Sequence, residues 1–99
     1  MLIRQGDVVI ESVATIQGTH SPLPHATLAQ GEITGHSHRI ENPADVELYN
    51  INGTLFLRVK SESASLIHQE HATLQIPKGD YKVWRQREYT PREIRLIRD

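Results

Sequence analysis

The chain contains no cysteine among its 99 residues. Disulfide bonds and thiolate metal ligands are therefore excluded, and the composition is compatible with a reducing cytosol. Long apolar stretches are also lacking: the opening run MLIRQGDVVI is interrupted by Arg4 and Asp7, so it has the pattern of neither a signal peptide nor a membrane span. From these absences we expect a cytoplasmic protein without a membrane partner.

Aromatic residues make up 5% of the chain, and the formal net charge is −1. With 37% hydrophobic and 23% charged residues, the composition is that of a globular protein, and we expect one domain, residues 1–99. Charge is uneven, since residues 51–99 hold nine Lys or Arg against six acids. This surplus fits an anionic partner, docking between two copies of the chain, or a solvated charged face.

Hydrophobic residues recur with period two, which predicts an all-β fold. The predicted strands are residues 7–13, 25–30, 36–40, 45–50, 54–60, 64–69, 72–76, 81–88 and 93–99. Asn52-Gly53 predicts a tight hairpin, because both residues tolerate positive φ. At residues 90–94, TPREI, a short helix capped by Thr90 is the alternative to a strand. Short strands separated by Gly and Pro favour a small, mostly antiparallel barrel or sandwich.

An internal duplication is a further possibility that the sequence raises. The tetrapeptide HATL occurs at 25–28 and again at 71–74. Beyond it, an offset of 48 pairs several residues, which suggests repeat units 25–50 and 71–98. The same offset places Trp84 and Gln86 at the positions of His36 and His38. It therefore predicts that Trp84 is buried and that its neighbours Arg85 and Arg87 lie on the outer face.

Four histidines fall in two close pairs, in GHSHRI (35–40) and LIHQEH (66–71). Side chains two apart on a strand share a face, so His36 and His38 point together, inward with Ile40. His68 continues the inward face of its own strand, as Ala72 does on the next. Strict alternation sets His71 apart unless the chain turns or bulges at Gln69-Glu70.

Imidazoles grouped on an inner face indicate a metal site. Nitrogen ligands in the absence of thiolates suit zinc, iron, nickel or copper. The residues nearest in sequence that complete or orient such a site are Glu41, Gln69 and Glu70. The alternative is that His36, His38, His68 and His71 are hydrogen-bonded polar residues in strands or at a subunit interface. His20 and His25 flank a proline-containing loop and are expected to face solvent.

Several blocks of sequence together resemble a family of small proteins from bacteria and their phages. These blocks are RQGDVVI, GEITGHSHRI and LIHQEHATLQIPKGDYKVWRQREYTP, which follow the order QGD, TGHxHR, HxEH, PxGxYxV and QREYTP. The resemblance runs from Gln5 to Pro91. It implies which residues form a unit and carries no settled activity.

The chain is also loosely similar to cupins, small β-barrels that hold a metal with an HxH pair, a Glu and a later His. Gly31, His36 and His38 match the first cupin motif. Glu41 follows His38 by three positions rather than the four or five of that motif, and His68 precedes the proline and glycine that come first in cupins. The similarity implies a fold and no transferable activity.

A second constellation lies in YKVWRQREYTPR, residues 81–92. Arg85, Arg87 and Tyr89 share a strand face, where they can hold phosphates and stack bases. With His36 or His38 as acid and base, such a surface can cleave RNA without a metal. The plainer interpretation is that the arginines pair across neighbouring strands with acids, namely Asp7, Glu88 or Glu93.

Three hypotheses therefore stand. The first is a small metal-binding β-barrel in which His36, His38, His68 and His71 are the ligands of zinc, iron or nickel; whether it is an enzyme or a binding module is open. The second is a nucleic-acid-binding or ribonuclease-like module. The third is a non-catalytic homo-oligomeric interaction module, since strand edges in so short a chain favour pairing.

Overall fold

A computed structural model describes residues 1–31 and 35–86, together with two short backbone segments, 88–89 and 94–95. The strands are β1 (Leu2–Gln5), β2 (Val8–Ser12), β3 (Thr27–Gln30), β4 (Ser37–Ile40), β5 (Val46–Ile51), β6 (Thr54–Ile67), β7 (Leu74–Arg85), β8 (Glu88–Tyr89) and β9 (Ile94–Arg95). A short 3-10 turn, Pro43–Asp45, precedes β5 and is capped by the side chain of Asn42. The predicted all-β class is confirmed.

Strands β1 to β7 form one antiparallel sheet. Six of them follow the order β1-β2-β7-β6-β4-β3, and β5 lies off this path, paired with β6. The 14-residue strand β6 supports three neighbours. Its first half pairs with β5 on one side and β7 on the other, and its end, at Leu66 and Ile67, pairs with β4. β8 and β9 pair separately.

One face of this sheet is apolar and surrounds a single core. The core draws on β2 through β7, with Val8, Ile10, Leu28, Ile40, Val46, Leu48, Leu57, Val59, Ala64, Leu66, Ile76, Tyr81 and Val83 among its members. The sheet curls far enough for Arg85 of β7 to donate from Nη1 to the carbonyl of Gln30 in β3, at 3.2 Å. In the described residues no strand ladder closes that gap, so the sheet is curled but is not a closed barrel.

Two pairs of predicted strands are each one continuous strand. Residues 54–60 and 64–69 merge into β6, and 72–76 and 81–88 merge into β7. Pro77 and Gly79 do not end β7 because the register shifts opposite them: Val59 pairs with Gly79 but Ser63 pairs with Pro77. β6 thus holds two extra residues there, and such a bulge tolerates proline and glycine inside a ladder.

The hairpin at Asn52-Gly53 is confirmed. Ile51 pairs with Thr54, and the two turn residues have φ of 52° and 83°, the left-handed conformation that a tight hairpin requires. By contrast, β1 was not predicted. Its four residues include Leu2 and Arg4, so the apolar pattern is too brief to stand out.

The prediction that Trp84 is buried is wrong. Tyr81 and Val83 fill the inner face of β7, so Trp84 points outward and is 36% exposed, while Arg85 lies on the inner side. Ala72 is exposed as well, because β7 begins two residues later, at Leu74. The structure of Arg87 lies outside the described residues.

The proposed duplication stays a prediction, because its second unit, 71–98, extends beyond the described residues. The choice between helix and strand at 90–94 also falls largely outside them. Across the described ranges, no helix is both long and apolar enough to cross a membrane.

Candidate functional site

Strand pairing brings the two histidine pairs to one end of the sheet. β4 and β6 are antiparallel with Arg39 opposite Ile67, so the next positions outward on the two strands are His38 and His68. The chain then bends through residues 69–71. The side chain of Gln69 accepts a hydrogen bond from the backbone N–H of Ser37 at 3.0 Å, which holds this bend against β4.

All four predicted histidines meet at this end. The ring centroid of His68 lies 4.2 Å from that of His38, 4.7 Å from that of His71 and 5.5 Å from that of His36. The centroids of His38 and His71 are 5.8 Å apart. His71 joins the group because β6 ends at Ile67 and strict alternation no longer applies. We call these four residues the histidine cluster.

The four rings differ in burial. His38 is 3% exposed, whereas His36, His68 and His71 are half-buried. Burial, reinforced by the neighbouring His68, lowers the pKa of His38 from 6.5 to about 4. His38 is therefore neutral near pH 7, the state in which imidazole binds metals.

A buried amide from β1 fixes the tautomer of His38. Gln5 Nε2 donates to the carbonyl oxygens of Leu66 at 3.1 Å and Ala72 at 2.9 Å. Flipping this amide would set its oxygen against two other oxygens, so Oε1 is the atom that lies 2.8 Å from His38 Nδ1. Because an amide oxygen accepts and never donates, Nδ1 carries the proton and Nε2 keeps its lone pair.

That lone pair faces a buried carboxylate. His38 Nε2 lies 3.8 Å from Oδ1 of Asp7, a residue that is 8% exposed. The other oxygen, Asp7 Oδ2, accepts from Arg85 Nε at 3.1 Å. The prediction that Arg85 pairs with Asp7 is thus confirmed, although Asp7 lies in the turn before β2 rather than on the strand.

The remaining predicted residues lie at the margin of the cluster or away from it. Glu70 Oε1 is 3.6 Å from His36 Nδ1, but the glutamate side chain is 71% exposed. Glu41 follows β4 and is exposed. His20 and His25 face solvent, as predicted. The side chain of Tyr89 lies outside the described residues.

Sequence analysis did not single out Gln5 or Asp7 as site residues. Both sit at the β1–β2 turn, where Gln5 pairs with Val8 and Gly6 takes a φ of 59°. This turn directs both side chains toward His38. The sequence did contain one signal, the QGD block of the family resemblance. Because β1 was not predicted, that block was not recognised as the turn that places Gln5 and Asp7 beside His38.

The clustered side chains do not converge on one point as they stand. Among the described residues, no group of three or more His, Asp or Glu is arranged to hold a metal ion. The ring pairs range from stacked to edge to face, with interplanar angles between 22° and 86°. What the geometry establishes is a compact group of imidazoles around His68, one of which, His38, is neutral and oriented.

The family of the chain follows from its sequence. No curated protein and no solved structure matches it. A family model described as a domain of unknown function, DUF8820, matches residues 4–86, a span that includes the histidine cluster, Gln5 and Asp7. The particular motif blocks and the similarity to cupins stay predictions. This chain belongs to the DUF8820 domain family.

Proposed function

We propose that the histidine cluster binds one divalent transition-metal ion, with zinc, iron and nickel as the candidates. The observation that carries this proposal is the meeting of four imidazoles around His68, with centroid separations of 4.2 to 5.5 Å. In a tetrahedral site with metal–nitrogen bonds of about 2.0–2.1 Å, imidazole centroids lie roughly 5 Å apart. The separations from His68 support the proposal because they are close to this spacing, although the rings are not oriented toward a common point.

Metal binding in this scheme requires rotation of rings rather than movement of strands. His68 and His71 follow the end of β6, and His71 lies in the bend at 69–71. His68 Nδ1 accepts a hydrogen bond from the backbone N–H of Glu70 at 3.0 Å, so binding through that nitrogen would replace this bond. His38 needs the least adjustment, because its Nε2 is unprotonated and its ring is held by Gln5. A histidine that donates its other ring N–H to a fixed acceptor has the arrangement typical of metal ligands.

The alternatives gain less support. Arg85 uses Nε for Asp7 and Nη1 for Gln30 O, so the predicted nucleic-acid surface has no observation in its favour within the described residues. Four imidazole ligands would close a tetrahedral zinc site and give it a structural role, whereas three would leave a position for water or substrate. The proposal is metal binding, and no reaction is assigned.

Elemental analysis of protein purified without chelators or a histidine tag tests this proposal. We expect about one transition-metal ion per chain, displaced by a chelator and restored by Zn²⁺. Replacing His68→Ala at the centre of the cluster should weaken Zn²⁺ binding more than about tenfold. His20→Ala, an exposed histidine away from the cluster, is the matched control and should bind as the native chain does. A folded native protein that takes up no Zn²⁺, Fe²⁺ or Ni²⁺ would overturn the proposal.

A further inference from the structure

The carboxylate of Asp7 has an unsatisfied oxygen in the interior. In the described part of the chain, Asp7 Oδ1 is the one buried side-chain nitrogen or oxygen atom without a hydrogen-bond partner. A buried carboxylate oxygen without a partner is costly, because it has lost its hydration and gained nothing in return. His38 Nε2 lies 3.8 Å from this oxygen.

That neighbour cannot satisfy it. Gln5 holds the proton of the neutral His38 ring on Nδ1, so Nε2 presents a lone pair to Asp7 Oδ1. Two acceptors therefore face each other across 3.8 Å in a buried site. Such a pair repels unless a positive centre lies between the two atoms.

The environment directs Asp7 Oδ1 and not Oδ2 toward the cluster. Arg85 Nε binds Oδ2 at 3.1 Å, and the backbone carbonyl of Asp7 accepts from Gln86 N at 2.7 Å. β7 thus fixes both the side chain and the main chain of Asp7. The guanidinium also offsets part of the carboxylate charge while leaving Oδ1 available.

We propose that Asp7 is a ligand of the metal ion, binding through Oδ1 beside His38 Nε2, so that the site is a mixed imidazole–carboxylate centre for a divalent cation. This inference rests on the metal-binding function proposed above. Two ligands bound tetrahedrally at about 2.1 Å lie roughly 3.4 Å apart, so a shift of a few tenths of an ångström brings the two atoms into position. Gln5 acts as a positioning residue, since it touches His38 and not the ion.

A carboxylate ligand restricts which metal ions the site would prefer and changes how many histidines it needs. It favours divalent zinc, iron, nickel or manganese over copper(I), which prefers soft ligands. It also removes the need for all four histidines in the first coordination sphere. Asp7 with three imidazoles would close a tetrahedral site, whereas Asp7 with two would leave a position for solvent or substrate, as in catalytic centres.

Cobalt(II) titration of the native chain and of Asp7→Asn tests this inference. The asparagine keeps the size of the side chain and removes its charge, and we expect at least about a tenfold loss of Co²⁺ affinity together with a changed d–d absorption spectrum. Asp45→Asn makes the same chemical change at a residue that accepts from Ser61 Oγ and lies outside the cluster. It should titrate as the native chain does.

A measurement on the native chain guards against a variant that fails to fold. In NMR spectra of protein labelled with ¹³C-aspartate, Zn²⁺ should change the chemical shift of the Asp7 carboxyl carbon and leave that of Asp45 unchanged. If the native chain binds Co²⁺ and Zn²⁺ but the Asp7 resonance stays put and a folded Asp7→Asn variant keeps the native affinity and spectrum, the aspartate is not a ligand and the histidine site stands alone. If the native chain binds neither ion, both proposals fall together.

Discussion

Gln5 and His38, 33 positions apart in the sequence, are joined by a 2.8 Å side-chain hydrogen bond. The same amide donates to Leu66 O and Ala72 O, so one buried side chain connects β1, β4 and the segment between β6 and β7. It also decides which nitrogen of His38 carries the proton. Gln5 therefore contributes both to the stability of the fold and to the protonation state of the His38 ring nitrogens.

Replacing Gln5→Ala should lower the free energy of unfolding by about 2–3 kcal/mol. The variant removes three hydrogen bonds, two of them fully buried, and takes away the partner that the imidazole N–H of His38 has in Gln5. Gln75→Ala is the matched control, because that exposed glutamine bonds Ser63 and Ser65 at the surface, and it should cost less than about 0.5 kcal/mol. Urea unfolding of both variants measures the difference; equal costs would contradict the role given to Gln5.

Acid should destabilise the metal-free protein through His38. Its pKa is about 4 when folded and near 6.5 when unfolded, so between these values the unfolded chain binds more protons. Stability is complete above about pH 6.5, falls as the pH drops, and by pH 4 has lost roughly 3 kcal/mol from this residue. In His38→Gln this loss should disappear. Unfolding curves at several pH values for both proteins provide the check, and parallel pH profiles would show that His38 is not the group responsible.

Added metal should stabilise the protein more at pH 7.5 than at pH 5. Metal-bound imidazoles must be neutral, so a metal ion competes with protons for imidazole nitrogens in the range where free histidine titrates. The observable is the shift in thermal midpoint caused by Zn²⁺ at each pH. Equal shifts at both values would mean that histidine is not the principal ligand type.

Much of the fold and of the cluster could be predicted from local pattern. Period-two alternation placed eight of the nine predicted segments on strands of the sheet, and their two-residue spacing set His36 and His38 on one side. The membership of His71 could be stated only as conditional on a bend at Gln69-Glu70. The bend is present, and it brings that ring within 4.7 Å of His68.

The rest could not be predicted because it depends on long-range contacts. Gln5 and Asp7 are placed near His38 by the β1–β2 turn and by the pairing of β2 with β7. The local hydrophobic pattern of the sequence does not predict which strands pair. The outward direction of Trp84 has the same origin. Alternation along the strand predicts that Trp84 and Val83 face opposite sides of the sheet. Which of the two lies in the core depends on how the sheet packs, and in this fold it is Val83.

Trp84→Ala should cost about 1 kcal/mol or less. The indole is 36% exposed and packs beside Lys82, whose Nζ lies 5.2 Å from the ring centroid, so its removal leaves no closed cavity. Tyr81→Ala, two positions earlier on the inner face, should cost about 3–5 kcal/mol. Tryptophan fluorescence gives an independent check: emission should lie near that of solvated indole and be quenched by iodide. A blue-shifted, protected emission would contradict the outward placement.

Substitution of Asp80 should destabilise the fold strongly, because this acidic residue is well paired although it lies outside the histidine cluster. Its carboxylate accepts from Arg58 at 3.0 and 3.3 Å, from Ile16 N at 2.9 Å and from Thr15 Oγ1 at 3.3 Å, which fastens the segment after β2 to β6 and β7. Burial tends to raise the pKa of Asp80, but the hydrogen bonds from Arg58 and Ile16 outweigh it and hold the pKa below its ordinary value of 3.8. The stabilisation is therefore present above that value and is lost as the pH falls through the lower, folded pKa.

Asp80→Asn should lower the free energy of unfolding by about 2–3 kcal/mol at pH 7 and progressively less below pH 4. Glu11→Gln, which breaks an exposed pair with Lys82 at 3.9 Å, should cost less than about 1 kcal/mol at either pH. If the two variants behave alike in urea at pH 7, the Asp80 contacts contribute no more than a surface ion pair.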